Sequence, residues 1–450
     1  MARELFGTDG IRGVAGEYPL DPRTVFALGE ALGADITANA RGDEVLFGAD
    51  TRESSDWIAA TVAAGLAHRG IRSRYAGVIT TPGVAWLTRN GPFAAGVMIS
   101  ASHNPYQDNG IKIFGHSGFK LPDSEEHTIE QELLRLREGT PDPHAAGRPG
   151  NLPIEEHLDR QYLEYLRSTV DVRLDAVRLA LDCGNGAASR LGPELFRSLG
   201  AEVVTVCAAP DGRNINLNCG ALHPENLSKT VVGTGAAYGV AFDGDADRAI
   251  FVSRTGRIVN GDGVLLAAAR AWKAAGRLRG GTVVSTVMAN LGLEHALEAE
   301  KIGMVRTPVG DKYVLEEMVR RDAVLGGEQS GHIIFRDYAT TGDGMLTALK
   351  VFEIARRSGL GLDELTSDLK VYPQKLVNIR VREKKGLLEH PAVAREIQRA
   401  EESFAGAGRV VVRFSGTEPL ARVMVEGADE GKVESFSASI AAVIRQELGA

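Results

Sequence analysis

The sequence predicts an α/β protein: three related mixed α/β domains, then a smaller α+β C-terminal domain. Three observations predict it. Short apolar runs alternate with helical patterns along most of the chain, the chemically dense loops leave strand-like runs, and the pattern changes character from about Val371. A length of 450 residues suggests about three domains at roughly 150 residues each, with two to four in range, and excludes a single small binding module.

Taken in order, apolar runs at Val45 to Ala49, Ile71 to Val78 and Ala94 to Ser100 read as strands, and Arg52 to Arg69 and Pro82 to Arg89 as helices, with Gly70 as a stop signal. Ala101 through Gly110, rich in Asn, Pro and Gly, reads as a loop leaving the carboxyl end of a strand, the edge where open α/β sheets bind ligands. Prolines 141, 143, 149 and 153 mark a linker. They close a first domain at 1–150.

A second set follows, with strands at Val177 to Leu181, Val203 to Cys207 and Gly239 to Phe242 and a helix reaching Leu199. Ala249 to Ser253 and Arg257 to Asn260 flank Thr255-Gly256 as a hairpin, and a helix opens at Gly261. This domain spans 151–257. The third, 258–368, has strands at Thr282 to Thr286, Met304 to Thr307 and Ala323 to Leu325, with helices from Leu291 and after Asp311. The last, 369–450, has strands at Leu376 to Val381, Val410 to Phe414 and Ala421 to Glu426 and a terminal amphipathic helix. The repetition is of element order, without a residue-level repeat.

Hydrophobic residues make up 44% and charged residues 24%, an ordinary globular balance. Lys and Arg number 51 against 59 Asp and Glu, a net charge of −8, so no global cationic field recruits nucleic acid or an anionic membrane. The 53 glycines fit a site built from tight loops. Cys183, Cys207 and Cys219 lack paired spacing, which suggests neither a disulfide framework nor a structural zinc site and points to a reducing compartment. With no leader-like or membrane-spanning stretch, the expectation is a cytoplasmic protein.

The sharpest motif is Asp243-Gly244-Asp245-Ala246-Asp247-Arg248. Three carboxylates at alternate positions after a strand can converge on one hard cation. An EF-hand is rejected, because Arg248 stands where the turn glycine belongs and Arg254 where the bidentate Glu belongs. Open coordination positions for substrate oxygens suit Mg²⁺; a solvated acidic turn is the competing reading. Ser100-Ala101-Ser102-His103-Asn104-Pro105 sets hydroxyls beside an imidazole, a setting for a nucleophile or phosphate carrier, or for a capping serine and an Asn-Pro turn. Lys112 is a candidate base or phosphate partner, or a surface lysine.

Arg12, between Gly10 and Gly13, can offer a fork of donors to an anion. Arg413-Phe414-Ser415-Gly416-Thr417-Glu418-Pro419, with Arg422 beyond, has the hydroxyls, glycine and guanidinium groups of a phosphate cradle. Glu328-Gln329-Ser330-Gly331-His332 holds groups able to read sugar hydroxyls, with His332 able to move protons; a polar hairpin turn is the alternative. No P-loop, Rossmann fingerprint or H-E-x-x-H motif occurs.

These four loops, one per predicted domain and in this order, resemble the α-D-phosphohexomutase superfamily over the whole chain. The start Phe6-Gly7-Thr8-Asp9-Gly10-Ile11-Arg12-Gly13, the Gly327 to His332 loop and Ser415 to Leu420 are most similar to its bacterial amino-sugar branch. The resemblance implies four domains around a central cleft. It implies an isomerase that interconverts glucosamine 6-phosphate and glucosamine 1-phosphate, toward UDP-N-acetylglucosamine and peptidoglycan precursors. Ser102 would be a phosphoserine, and Asp243, Asp245 and Asp247 would hold one Mg²⁺ together with that phosphate. Glu328 and Ser330 would read sugar hydroxyls; Arg413, Ser415, Gly416, Thr417 and Arg422 would hold the non-reacting phosphate. Arg12, His103 and Arg248 would serve the reacting phosphoryl group, and His332 or Lys112 would be the general base. A sugar 1,6-bisphosphate would be intermediate and activator, and the chain would form a homodimer.

Some positions depart from the branch's pattern. Pro308 stands where Lys is expected, Lys312 where Arg is expected, Phe414 where Pro is usual, and Gly220-Ala221-Leu222-His223-Pro224 is less polar than its counterpart. The competing readings are a phosphomannomutase/phosphoglucomutase of the same superfamily, a non-catalytic sugar-phosphate sensor, and an acidic-loop phosphatase.

Overall fold

The structure, a computed structural model, describes residues 5–7, 9–145, 147, 149–415 and 419–450. The chain packs as two compact units. One comprises Met1–Val284 and Gly310–Ser367, the other Ser285–Val309 and Asp368–Ala450.

In the first unit, a six-stranded sheet runs in the order Phe6–Gly7, Gly10–Val14, Asp108–Gly115, Ala95–Ile99, Glu44–Ala49, Arg72–Val78. The strands Arg72–Val78, Glu44–Ala49 and Ala95–Ile99 are parallel, with helices Ser55–His68 and Thr81–Asn90 as crossovers, and the other pairs are antiparallel. Of these, Glu44–Ala49 and Ala95–Ile99 are buried almost throughout, which explains their continuous apolar runs, while the edge strand Arg72–Val78 is buried only from Tyr75 to Gly77. Helices Pro22–Ala38 and Asp123–Gly139, outside the pattern read from the sequence, help complete this core. The loop expected to extend to Gly110 is shorter. Asp108, Asn109 and Gly110 already pair with Val14, Gly13 and Arg12, so tertiary pairing overrides their turn composition.

A five-stranded sheet follows, ordered Ile258–Val259, Ala249–Ser253, Tyr238–Phe242, Arg178–Asp182, Glu202–Val206. The expected hairpin across Thr255-Gly256 is present, with Phe251 opposite Val259. The helix expected at Gly261 spans Gly261–Ala274, capped by Asn260, whose side chain accepts from the N–H groups of Asp262 and Gly263. Farther on, Leu325–Gly327 pairs with Ile333–Phe335, slightly later than the Ala323 to Leu325 run suggested. Gly327 faces Ile333, so the segment from Glu328 to His332 is the tip of a hairpin.

In the second unit, Gln374–Arg380, Leu420–Gly427 and Gly408–Phe414 form an antiparallel sheet, covered by Pro391–Phe404 and Glu430–Leu448. Buried Glu426 joins the segment 285–309 to it. Its Oε1 accepts from the N–H of Leu291 (2.9 Å), and its Oε2 accepts from Arg409 Nε (2.7 Å), whose other nitrogens donate to the carbonyls of Val287 and Ala289. Among the described residues no helix is long and apolar enough to cross a membrane.

Candidate active site

Three strand ends of the first unit deliver the site. Ser102 lies just beyond Ala95–Ile99, Asp243 just beyond Tyr238–Phe242, and Glu328 just beyond Leu325–Gly327. Ser102 is buried and held at φ +52°, the left-handed region that L side chains rarely adopt. Its N–H donates to Ser100 Oγ (2.9 Å), which in turn donates to Asp50 Oδ2 (2.6 Å). Its hydroxyl donates to Asp243 Oδ2 (2.6 Å), with His103 Nδ1 3.3 Å away. Of the two hydroxyls in this motif, Ser100 is thus occupied in supporting the loop, and Ser102 faces the carboxylates.

Arg52, with a side chain that is 0% exposed, was not singled out by the sequence and is the loop's main clamp. Its Nε donates to Asp50 Oδ2, and its terminal nitrogens donate to the carbonyls of Ser102, Asn104, Pro105 and Asp108. Asn216 reaches the same loop from the second sheet, donating from Nδ2 to the carbonyls of Ser102 (2.9 Å) and Asn104 (3.2 Å). Gly244 is required here, since a Cβ would lie 2.5 Å from the Ser102 carbonyl oxygen.

Asp243, Asp245 and Asp247 are buried, and one carboxylate oxygen from each lies within 4.8 Å of the others. Burial, then Asp247 and Asp245, pushes Asp243 well above the usual carboxylate range. Asp247 moves the other way: burial acts to raise it, but His332, Lys112 and Arg248 hold it well below. Asp245 Oδ1 and Asp247 Oδ1 are buried without a hydrogen-bond partner. Crowded carboxylate oxygens left unsatisfied are the donor set of a hard divalent cation, so these residues fit Mg²⁺.

Lys112 is buried on the strand Asp108–Gly115, with Nζ 2.9 Å from Asp245 Oδ2 and 3.0 Å from Asp9 Oδ2. Burial acts to lower its pKa, but Asp245 and Asp9 override this and keep the ammonium charged. Lys120 Nζ donates to Asp9 Oδ1 and Asp311 Oδ2, and Asp311 Oδ2 lies 3.7 Å from His332 Nε2. His332 is buried, and its Nδ1 lies 3.5 Å from Asp247 Oδ2. Burial acts against its protonation, but Asp247 raises its pKa to about 9. His103 goes the other way. Burial, then Arg248 and Arg12, pushes it down to about 4 and keeps the imidazole neutral. Arg12 itself pairs with Asp9.

The Glu328 hairpin is fixed on the second sheet by main-chain bonds from Ala249 N to the Gly331 carbonyl and from Gly261 N to the Gln329 carbonyl. Glu328 accepts from the N–H of Gly310 (3.3 Å), and Ser330 Oγ lies 3.5 Å from it. Gln329 is turned away, toward Asp262 (3.2 Å). Lys312, the departure noted above, donates to the Leu121 carbonyl and pairs with Asp123.

In the second unit, Arg413 and Arg422 are directly opposite cross-strand partners. Like charges so placed repel, an arrangement suited to a shared anion. Buried Ser415 follows, its N–H donating to the Leu420 carbonyl (2.8 Å) and closing the loop. Gly416 and Thr417 lie outside the described residues. The structure thus brings together Ser102, His103, Lys112, Arg12, the three aspartates, Arg248, Glu328, Ser330 and His332 in one unit, and Arg413, Ser415 and Arg422 in the other. Asp9, Asp50, Arg52, Lys120, Asn216, Asp311 and Thr81, whose N–H donates to the Asp245 carbonyl, are the supporting residues that sequence reasoning missed. The Thr8 to Gly13 motif contained Asp9; the others carry no local signal.

A serine hydroxyl on a carboxylate cluster, with guanidinium groups, an imidazole and the polar Glu328 hairpin in the same unit, is equipment suited to phosphoryl transfer. Comparison with known proteins agrees on the class. The chain matches all four domain families of phosphoglucomutase/phosphomannomutase: alpha/beta/alpha domain I over residues 3–139, domain II over 160–256, domain III over 260–372 and the C-terminal domain over 376–443. Among solved structures it resembles a phosphoglucomutase/phosphomannomutase family protein from Burkholderia thailandensis, with a TM-score of 0.79 and 24% identity over 99% of this chain and 98% of that one. A likeness at that identity carries the four-domain fold alone.

Among sequences, it is 70% identical over 449 residues to a phosphoglucosamine mutase from Solibacter usitatus, covering 100% of both chains. It is 46% identical to one from Shouchella clausii, over 99% of this chain and 100% of that one. The chain belongs to the phosphoglucosamine mutase family, whose members are isomerases of the intramolecular phosphotransferase kind.

Proposed function

We propose that the protein interconverts glucosamine 6-phosphate and glucosamine 1-phosphate through a phosphoserine at Ser102 and a glucosamine 1,6-bisphosphate intermediate. The observation that carries this reading is the 2.6 Å contact of Ser102 Oγ with Asp243, beside the unpartnered carboxylate oxygens of Asp245 and Asp247. In the first half-reaction the bond from phosphorus to Ser102 Oγ breaks as a bond to the free sugar oxygen forms, and the sugar hydroxyl gives up its proton. The bisphosphate turns over, its other phosphate returns to Ser102, and the departing oxygen takes a proton back. Asp243, Asp245 and Asp247, with the serine phosphate, would hold Mg²⁺, which when bound offsets the charge on the phosphoryl oxygens.

Lys112, held as an ammonium by Asp9 and Asp245, suits the role of charge donor better than that of base. His332, which Asp247 likewise favours in its protonated form, can return a proton to the departing oxygen but is no freer than Lys112 to act as the base. Arg12, His103 and Arg248 donate toward phosphoryl oxygens. Glu328 and Ser330 read sugar hydroxyls. Arg413, Ser415, Gly416, Thr417 and Arg422 hold the phosphate that is not reacting, for either orientation of the ligand. The domain limits at 150, 257 and 368, a cytoplasmic location, a homodimer, the lack of nucleic-acid and membrane partners, and a place on the route to UDP-N-acetylglucosamine complete the reading.

The test incubates the purified protein with glucosamine 6-phosphate, Mg²⁺ and catalytic bisphosphate, following glucosamine 1-phosphate by phosphorus NMR, with glucose 6-phosphate in parallel. Isomerisation favouring the amino sugar supports the reading, and preference for glucose overturns the substrate. No turnover with Ser102 verified as phosphorylated overturns the reaction.

A further inference from the structure

Two of the three cysteines meet beside a carboxylate that the phosphoryl chemistry does not use. Asp182 ends the strand Arg178–Asp182, Cys207 follows the strand Glu202–Val206, and Cys219 precedes the short helical turn Gly220–Leu222. A carboxylate oxygen and the two sulfurs lie within 4.8 Å of one another, a side-chain adjustment away from the roughly 3.3–3.8 Å edges of a tetrahedral site with thiolate and carboxylate ligands. Asp182 and Cys219 are buried, and Cys207 is half-buried, which leaves a route from solvent.

The ligand atoms are already oriented. The N–H groups of Gly184 and Gly220 donate to Asp182 Oδ1 (2.9 Å) and Oδ2 (3.0 Å), and Asn185 Nδ2 lies 3.9 Å from Cys219 Sγ. Hydrogen bonds of this kind fix ligands around a metal and still leave lone pairs on the carboxylate for coordination. Mg²⁺ has little use for sulfur, so this trio differs in kind from the three aspartates near Ser102.

We infer that Asp182, Cys207 and Cys219 form a binding site for a thiophilic divalent cation such as Zn²⁺, with water in the fourth position on the exposed side of Cys207. Binding forms two bonds from sulfur and one from oxygen to the cation and releases the two thiol protons to solvent. No electrons move. The loop between the two cysteines carries Asn216, which donates to the carbonyl of Ser102, so a cation fastening both ends of that loop reaches the serine through one hydrogen bond.

The test uses the full-length, reduced, chelator-stripped protein titrated with Co²⁺ in excess Mg²⁺, reading the near-ultraviolet absorption of thiolate bound to cobalt. The expected result is one Co²⁺ per chain, displaced by one Zn²⁺. Cys207→Ser and Cys219→Ser should each weaken binding by at least tenfold, while Asp245→Asn leaves the signal unchanged. If Cys219→Ser does not fold, Cys207→Ser, at the half-buried position, still decides. No thiolate band at stoichiometric Co²⁺, or a band that survives in Cys207→Ser, overturns the inference. So does a Cys207–Cys219 disulfide forming in air equally fast with and without Zn²⁺, since a bound cation shields both sulfurs.

Discussion

Replacing Arg52 by lysine keeps the charge and destroys the clamp on the Ser102 loop. The guanidinium serves five acceptors, Asp50 Oδ2 and the carbonyls of Ser102, Asn104, Pro105 and Asp108. An ammonium has three donors at most, so about two hydrogen bonds from a charged donor are lost, although Asp50, Ser102, Asn104 and Pro105 each keep another donor and Asn104, Pro105 and Asp108 are not fully buried. A hydrogen bond is worth about 0.5–1.5 kcal/mol net and up to about 3 kcal/mol from a charged group, giving a total loss on the order of 1–4 kcal/mol. Part of that loss falls on the conformation of Ser102, whose left-handed backbone is held on one side by Ser100 and on the other by Arg52. The expected outcome for Arg52→Lys is a lower denaturant midpoint together with a large fall in kcat at nearly unchanged KM, because the phosphate cradle and sugar loop are untouched. Equilibrium denaturation and steady-state kinetics with glucosamine 6-phosphate measure both. A variant within about 0.5 kcal/mol of the parent, with its kcat intact, would refute the argument that this arginine sets the position of the serine.

Ser102→Ala should abolish turnover and leave sugar-phosphate affinity nearly unchanged, which calorimetry alongside the mutase assay checks. Arg422→Gln should raise KM by roughly 10-fold to 100-fold, the worth of about 1.5–3 kcal/mol for a charged hydrogen bond, with a smaller effect on kcat. Asp245→Asn should weaken Mg²⁺ activation and leave the Arg52 clamp and the fold in place, as Mg²⁺ titrations of activity and circular dichroism would record. Asp343 caps the helix Gly344–Ser358, accepting from the N–H of Leu346 and from Tyr162 Oη, and burial raises its pKa from 3.8 to about 6. The folded state therefore holds a proton that the unfolded state releases, so this group's contribution to stability falls as pH rises from about 4 to about 6. Asp343→Asn keeps a good cap and should lack that part of the slope, which midpoints measured across this pH range would reveal.

The groups proposed to act were legible because their chemistry is concentrated in consecutive residues. Asp243, Asp245 and Asp247 alternate after an apolar run, and Ser102 and His103 follow another, so strand-end placement and chemistry were read together. What holds those groups in place was not legible. Arg52 looks like an ordinary charge at the start of a helical pattern, and nothing local says that its side chain will be enclosed by a loop fifty residues later. Asp9, Lys120 and Asp311 alternate in charge only in three dimensions. Cys207 and Cys219 have no metal-ligand spacing because their third partner is a carboxylate on another strand. The same limit explains Asp108 to Gly110, whose composition signals a turn while pairing with Gly10–Val14 makes them strand.

Where the first two sheets meet at the site, main chain also lies close against main chain. Gly244 lies against the carbonyl of Ser102, and Thr81 N–H donates to the Asp245 carbonyl. Gly244 leaves no room for a side chain at that approach, so the spacing of the serine from the aspartates is set in large part by peptide geometry, with Asn216 and Lys112 bonding across it. Divergence toward another sugar is then left to the hairpin at Glu328 or the arginine pair at 413 and 422, while the reacting centre keeps its gauge.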